Sequence, residues 1–239
     1  GAGGRPVPLI AETGGQNALI ADSSALPEQL VLDAVTSAFD SAGQRCSALR
    51  VLCLQDDIAD KVVSLLEGAM AELGIGNPDR LSVDVGPVIS AEARKRLLDH
   101  VERMLAAGHR VHQVPLTSEA AQGNFVPPTL IEIGAVSDLP GEVFGPVLHV
   151  LRYEREDMED VISAVNTTGF GLTFGVHSRI DETIERATAV SAAGNQYVNR
   201  NMIGAVVGVQ PFGGHGLSGT GPKAGGPLYV HRLLAAGTA

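Results

Sequence analysis

The 239-residue chain is 44% apolar, with 29 glycines and 13 prolines, a composition that excludes disorder and points to an α/β protein rich in tight turns. A formal charge of −10 argues against broad contact with nucleic acid or an anionic membrane surface, and no apolar run reaches the roughly 18 residues of a membrane-spanning helix. Two cysteines are too few for a disulfide framework and suit a reducing, cytoplasmic setting.

In chain order, residues 7–21 hold two strand candidates around Thr13-Gly14-Gly15, the first from Val7 to Ala11, and Asp22-Ser23-Ser24 supplies turn chemistry. Pro27 to Ser41 has helical spacing, with Leu30, Val31, Val35, Ala38 and Phe39 on one face and Pro27 in the first turn. Gly43 ends it, and a strand follows, Val51 to Gln55. Asp56-Asp57 is expected to cap a helix to about Leu73, and Ser90 a second one, Ala91 to Ala107. His109 to Val114 alternates like a short strand, and Pro127-Pro128 keeps Phe125 to Ile131 extended. Then come a strand (Val147 to Leu151), a helix (Met158 to Val165), a strand (Phe174 to His177), a helix capped at Asp181 and ending at Ala192, and a strand, Asn195 to Asn199. Tyr229 to Leu234 reads as a terminal strand. Such strand–helix alternation predicts an open, mostly parallel twisted sheet flanked by helices.

Two segments carry candidate chemistry. Cys46 sits in Ala42-Gly43-Gln44-Arg45-Cys46-Ser47 at a helix-to-loop break, where Arg45 and free backbone N–H groups can lower its pKa for nucleophilic attack. The plainer reading is a core cysteine. Upstream, Ala11-Glu12-Thr13-Gly14-Gly15-Gln16-Asn17 places an acid before a glycine pair. Alone, Glu12 reads more readily as an exposed turn acid. In a closed site its carboxyl would have a raised pKa and serve as a base.

Together these segments resemble the aldehyde dehydrogenase superfamily, in particular the branch that oxidises the glutamate semialdehyde derived from proline in bifunctional bacterial proteins. The resemblance covers nearly the whole chain. It implies an aldehyde dehydrogenase-like catalytic domain in which Cys46 is the nucleophile and Glu12 activates the hydrolytic water, with NAD as cofactor. It assigns Glu142 of Glu142-Val143-Phe144-Gly145-Pro146 to the nicotinamide ribose, puts Phe144 at the nicotinamide end, and has Gly14 pass close to the site. Otherwise the same stretch reads as a turn and a core phenylalanine. For the substrate's α-carboxylate it implies Ser47 and the Gly204-Ala205 backbone, with Phe212 on the aliphatic part. Gly204 to Val209 also reads as a buried strand.

Most of a cofactor domain, and an asparagine sharing the oxyanion hole, would precede this chain, so only remnants of the dinucleotide-binding domain are expected. The division implied is 1–24 (remnant and linker with Glu12), 25–209 (catalytic domain) and 210–239 (return segment and terminal strand, which pairs subunits into a homo-oligomer). The parent polypeptide would add a proline dehydrogenase domain carrying FAD, and peripheral membrane association would come through another domain. Gly214-His215-Gly216-Leu217-Ser218-Gly219 matches G-x-G-x-x-G, but Thr220 to Pro227 cannot open a helix, so it is read as a loop at the site's mouth. His100 and His112 lack partners at ligand spacing, and no metal site is expected. Alternatives are a cysteine acyl hydrolase or transferase, or an inactive folding or assembly domain; the fragment alone is expected to be inactive.

Overall fold

Parallel strands buried on both faces need near-continuous apolar runs, and two stretches of this chain supply them at the centre of the molecule. The computed structural model describes residues 8–235. β1 (Ala18–Ala21) and β2 (Val51–Gln55) are buried at every position. β3 (Val111–Gln113), β4 (Thr129–Ile133), β5 (Val147–Tyr153), β7 (Thr173–His177) and β8 (Asn195–Val198) complete the sheet, in the order β3-β4-β5-β2-β1-β7-β8. Every pairing is parallel except β3 with β4. β6 (Phe170–Gly171) pairs antiparallel with β9 (His215–Gly216) outside it. β1 is hydrogen-bonded on both sides, so the leading segment contributes the strand between β2 and β7.

The helices that cover the sheet are α1 (Pro27–Phe39), α2 (Asp56–Ala71), α3 (Ala91–Ala106), α4 (Met158–Thr167) and α5 (Asp181–Val190). α1 packs on α2 and α4 on α5. α1 buries Leu30, Val31, Ala34, Ala38 and Phe39, of which Leu30, Val31 and Phe39 each stabilise the fold by roughly 1.5–3 kcal/mol. Ser90 caps α3 by accepting the Ala93 N–H at 3.2 Å.

Several expectations are corrected. Asp56, Asp57 and Asp181 lie inside the first turns of α2 and α5 rather than capping them; Gln55 and Ile180 hold the cap positions without side-chain capping bonds. There the carboxylates favour the helices through the dipole. Tyr229–Leu234 is not a strand but a short helix, α6, with Pro227 just before its start. Residues 8–11 form no strand, Val7 lies outside the described residues, and Glu12 makes a single bridge to Gly219. Gly204 to Val209 is a loop, half-buried at Gly204 and exposed from Ala205 on, rather than a buried strand. Among the described residues no helix is long and apolar enough to cross a membrane.

Candidate active site

β5, β2 and β1 are consecutive neighbours in the sheet and run parallel. Their amino-terminal ends therefore lie side by side, and Glu142, Cys46 and Glu12 each sit in the loop leading into one of them. Residues far apart in sequence thus converge at one edge. The charges of both Glu12 and Glu142 are felt at the Cys46 thiol, and the charge of Cys46 is felt in turn at Arg50 and Tyr197.

The loop bearing Cys46 leaves α1 through Ser41, Ala42 and Gly43, all with left-handed backbone (φ 57°, 52° and 64°). Such angles cost an L-residue about 1 kcal/mol or more. A Cβ on Gly43 would fall 2.1 Å from the Gly145 carbonyl oxygen, so glycine is required both by angle and by space. Asn17, buried beside β1, closes the loop from below. Its Nδ2 donates to the carbonyls of Cys46 (2.7 Å) and Ala48 (2.8 Å), and its Oδ1 accepts the Thr173 N–H (3.1 Å).

Cys46 is half-buried and Cys53 fully buried in β2. Burial pushes the Cys46 thiol up, and the two carboxylates add to the rise; the Ser47 and Cys46 backbone N–H groups facing the sulfur act the other way. The expected lowering by Arg45 is therefore not found. Arg45 is exposed and its Nε donates to Ser41 Oγ at 3.0 Å. The Cys53 thiol, buried with no compensating donor, is pushed up to about 12.

Glu12 has a raised pKa, caused by partial burial of its carboxyl against a 3.3 Å bond from the Gly214 N–H. Glycines 213 and 219 make room for it: a Cβ on either would stand 2.7 or 3.2 Å from Glu12 Oε1. The G-x-G-x-x-G run thus wraps a carboxylate. Glu142 accepts the Gly15 N–H at 3.0 Å, and a Cβ on Gly14 would lie 1.8 Å from its Oε2. Phe144 is exposed and, with Glu142, Gln44 and Arg96, lines a cavity of about 360 Å³.

The residues assigned to substrate recognition are spread more widely. Ser47 is buried, and its carbonyl accepts from Thr173 Oγ1 at 3.2 Å. Gly204 is half-buried, Ala205 exposed, and Phe212 half-buried and bridged to Ala224. Among the described residues no hydrogen bond links Gly204 or Ala205 to Ser47. Arg200 NH2 donates to the Gly204 carbonyl at 3.4 Å, and its guanidinium lies 5.6 Å from the Tyr197 ring centre.

Sequence reasoning missed Arg50 and the bridging role of Asn17. Arg50 is fully buried; NH1 donates to Gly43 (2.7 Å) and Gly145 (3.2 Å), and NH2 donates to Arg45 (3.0 Å) and faces Glu142 Oε1 at 3.7 Å. The signal available was a lone arginine within the apolar run from Ala48 to Leu54.

Residues 2–238 match the model of the aldehyde dehydrogenase family. The chain belongs to that family. It is 62% identical over 239 residues to the bifunctional protein PutA of Escherichia coli K12, covering 98% of this chain and 18% of PutA. Against the 1-pyrroline-5-carboxylate dehydrogenase of Geobacillus kaustophilus it is 34% identical, over 93% of this chain and 43% of that protein. A crystal structure of bifunctional proline utilization A superposes with a TM-score of 0.91 at 56% identity, over 97% of this chain and 23% of that one. The Thermus 1-pyrroline-5-carboxylate dehydrogenase with bound NAD superposes at 0.83, with 35% identity, over 94% of this chain and 43% of that one. The chain thus spans about a fifth of the PutA proteins it matches, and its sheet and covering helices are the aldehyde dehydrogenase fold.

Proposed function

We propose that this chain carries the aldehyde-oxidising centre of an NAD-dependent L-glutamate 5-semialdehyde dehydrogenase, the second step of proline breakdown. The observation that supports it most is the meeting of Cys46, Glu12 and Glu142 at the ends of three adjacent strands, in a chain 62% identical to a PutA. In this reading the Cys46 thiolate adds to the aldehyde carbon, its own backbone N–H donating to the oxygen that becomes negative. NAD, when bound, supplies the hydride acceptor that turns the thiohemiacetal on Cys46 into a thioester. Glu12, with its raised pKa, takes a proton from water so that the hydroxide attacks the thioester; glutamate leaves and the thiolate returns.

The residues fit a nicotinamide nucleotide in part. Glu142 would hold the ribose and Phe144 would lie beside the ring, both facing the cavity of about 360 Å³, and Gly14 lets the Glu142 carboxylate lie against the backbone. Ser47, the Gly204-Ala205 N–H groups and Phe212 would hold the substrate's α-carboxylate and chain; backbone donors in a glycine-containing loop suffice for an anion. A FAD-bearing proline dehydrogenase domain in the same polypeptide would supply the precursor.

The test uses the full-length protein. Cys46→Ala is expected to abolish aldehyde oxidation while isothermal titration shows nearly unchanged NAD affinity, since the lesion is chemical and not in the ribose site. Residual oxidation within tenfold of the parent would remove Cys46 as the nucleophile.

A further inference from the structure

We propose that Arg50 is a positioning residue of this centre: one buried guanidinium ties the nucleophile loop to the Glu142 loop and supplies the cation that offsets two carboxylates at Cys46. The geometry carries it. NH1 bridges the carbonyls of Gly43 and Gly145, one from each loop, and NH2 bridges the Arg45 carbonyl and the Glu142 carboxylate. The same guanidinium carbon stands 5.1 Å from the centre of the Phe144 ring. A planar fork presents five donors in fixed directions to the two loops at once, where an ammonium offers three from a single point.

An arginine placed for stability alone would have a poor site. Arg50 is 0% exposed, and among the described residues its Nε has no hydrogen-bond partner and its single carboxylate neighbour is Glu142 at 3.7 Å. Burial lowers its pKa to about 10, so it remains charged at neutral pH. A buried cation with incomplete pairing is costly, and its charge acts strongly on neighbours because little water screens it. Among the described residues, the titratable groups coupled to Cys46 are Glu12, Glu142, Arg50 and Tyr197. Two anions oppose the thiolate. Arg45, adjacent in sequence, turns away to Ser41. Among the described residues Arg50 is thus the cation whose charge couples to Cys46, and its sharing with Glu142 sets how much of that charge reaches the sulfur.

The inference rests on Cys46 as the reactive thiol, and the experiment separates the two. The full-length protein is treated briefly with iodoacetamide across a pH series, and the labelled peptides are quantified by mass spectrometry. Arg50→Met should raise the pH midpoint of Cys46 labelling by about one unit, the shift typical of losing a nearby opposite charge. Arg50→Lys, which keeps the charge and loses the fork, should fall between that variant and the parent. Glu142→Gln removes an anion that opposes the thiolate and leaves the charge of Arg50 unshared, so its midpoint should fall below the parent's. A folded Arg50→Met with the parent's midpoint overturns the proposal. Should circular dichroism show that variant unfolded, Arg50→Lys decides it, and an unshifted midpoint there overturns it equally. A midpoint that stays or rises in Glu142→Gln also overturns it. Label appearing on Cys53 before Cys46 would instead sink the nucleophile assignment itself.

Discussion

Ser47 follows Cys46 directly, is buried, and its backbone carbonyl is anchored through Thr173. If its hydroxyl binds the substrate carboxylate, Ser47→Ala removes one charge-assisted hydrogen bond, worth about 1.5–3 kcal/mol. The expected cost is roughly a 10- to 150-fold drop in kcat/KM for glutamate semialdehyde. A simple aldehyde of similar length should lose far less. Equal losses for the two substrates would make Ser47 a support of local geometry rather than a carboxylate ligand. At this scale, what could be read from sequence was residue chemistry: a cysteine and a glutamate in glycine-rich loops stand out by type. Arg50 did not, because an arginine in an apolar run has no sequence signature for the four groups its guanidinium reaches. The direction of the Cys46 shift was also hidden. Arg45 is next to it in the chain, but its side chain points to Ser41, and burial, which no local pattern reports, takes control.

Secondary elements gather these residues by a simple rule. Parallel neighbours start at the same edge, so the loops entering β1, β2 and β5 meet although they are far apart in sequence. The alternation of strands and helices announced the parallel sheet; the strand order that makes these three adjacent was not in the pattern. Helix interiors were legible from apolar spacing, whereas their ends were less so: Asp56 and Asp181 resemble caps but fall one residue inside. Tyr229-Val230 has strand-forming side chains, yet Pro227 and the following Arg232-Leu233-Leu234 suit a turn of helix, and α6 results. Asn17 shows what holds the gathered loops. It is 2% exposed and serves Cys46, Ala48 and Thr173 with one amide. Asn17→Ala should leave two carbonyls and an N–H buried without partners, a loss of about 3 kcal/mol or more, read as a lower urea midpoint. It should also increase labelling of the Cys46 loop by hydrogen exchange. A variant as stable as the parent would mean that the loop finds other partners.

Across the whole molecule, the sheet carries its own response to pH. His100 on α3 meets His149 on β5 through their Nε2 atoms at 2.9 Å, and His149 Nδ1 lies 3.0 Å from the Arg50 carbonyl oxygen. A carbonyl can only accept, so His149 carries its proton on Nδ1 and accepts at Nε2. His100 must then donate from Nε2, leaving its Nδ1 to face Arg103 NH2 at 3.5 Å. Both rings are therefore neutral in the folded state. Burial drives both pKa values down, to about 4 for His100, where Arg103 adds to the fall, and to about 3 for His149, where His100 adds to it. The unfolded chain binds these protons near pH 6.5, so the pair's stabilising contribution is complete above that value and is lost as pH falls toward 4. Between pH 7 and 5 the loss should be about 2 kcal/mol for each histidine that remains neutral when folded. Glu12, Asp33 and Asp40 have raised values and work in the opposite sense, so the pair is isolated by comparing the parent with His149→Gln in urea unfolding at pH 7 and 5. The variant should start less stable and lose less on acidification. Equal losses in the two proteins would show that the imidazoles take up protons without opening the fold.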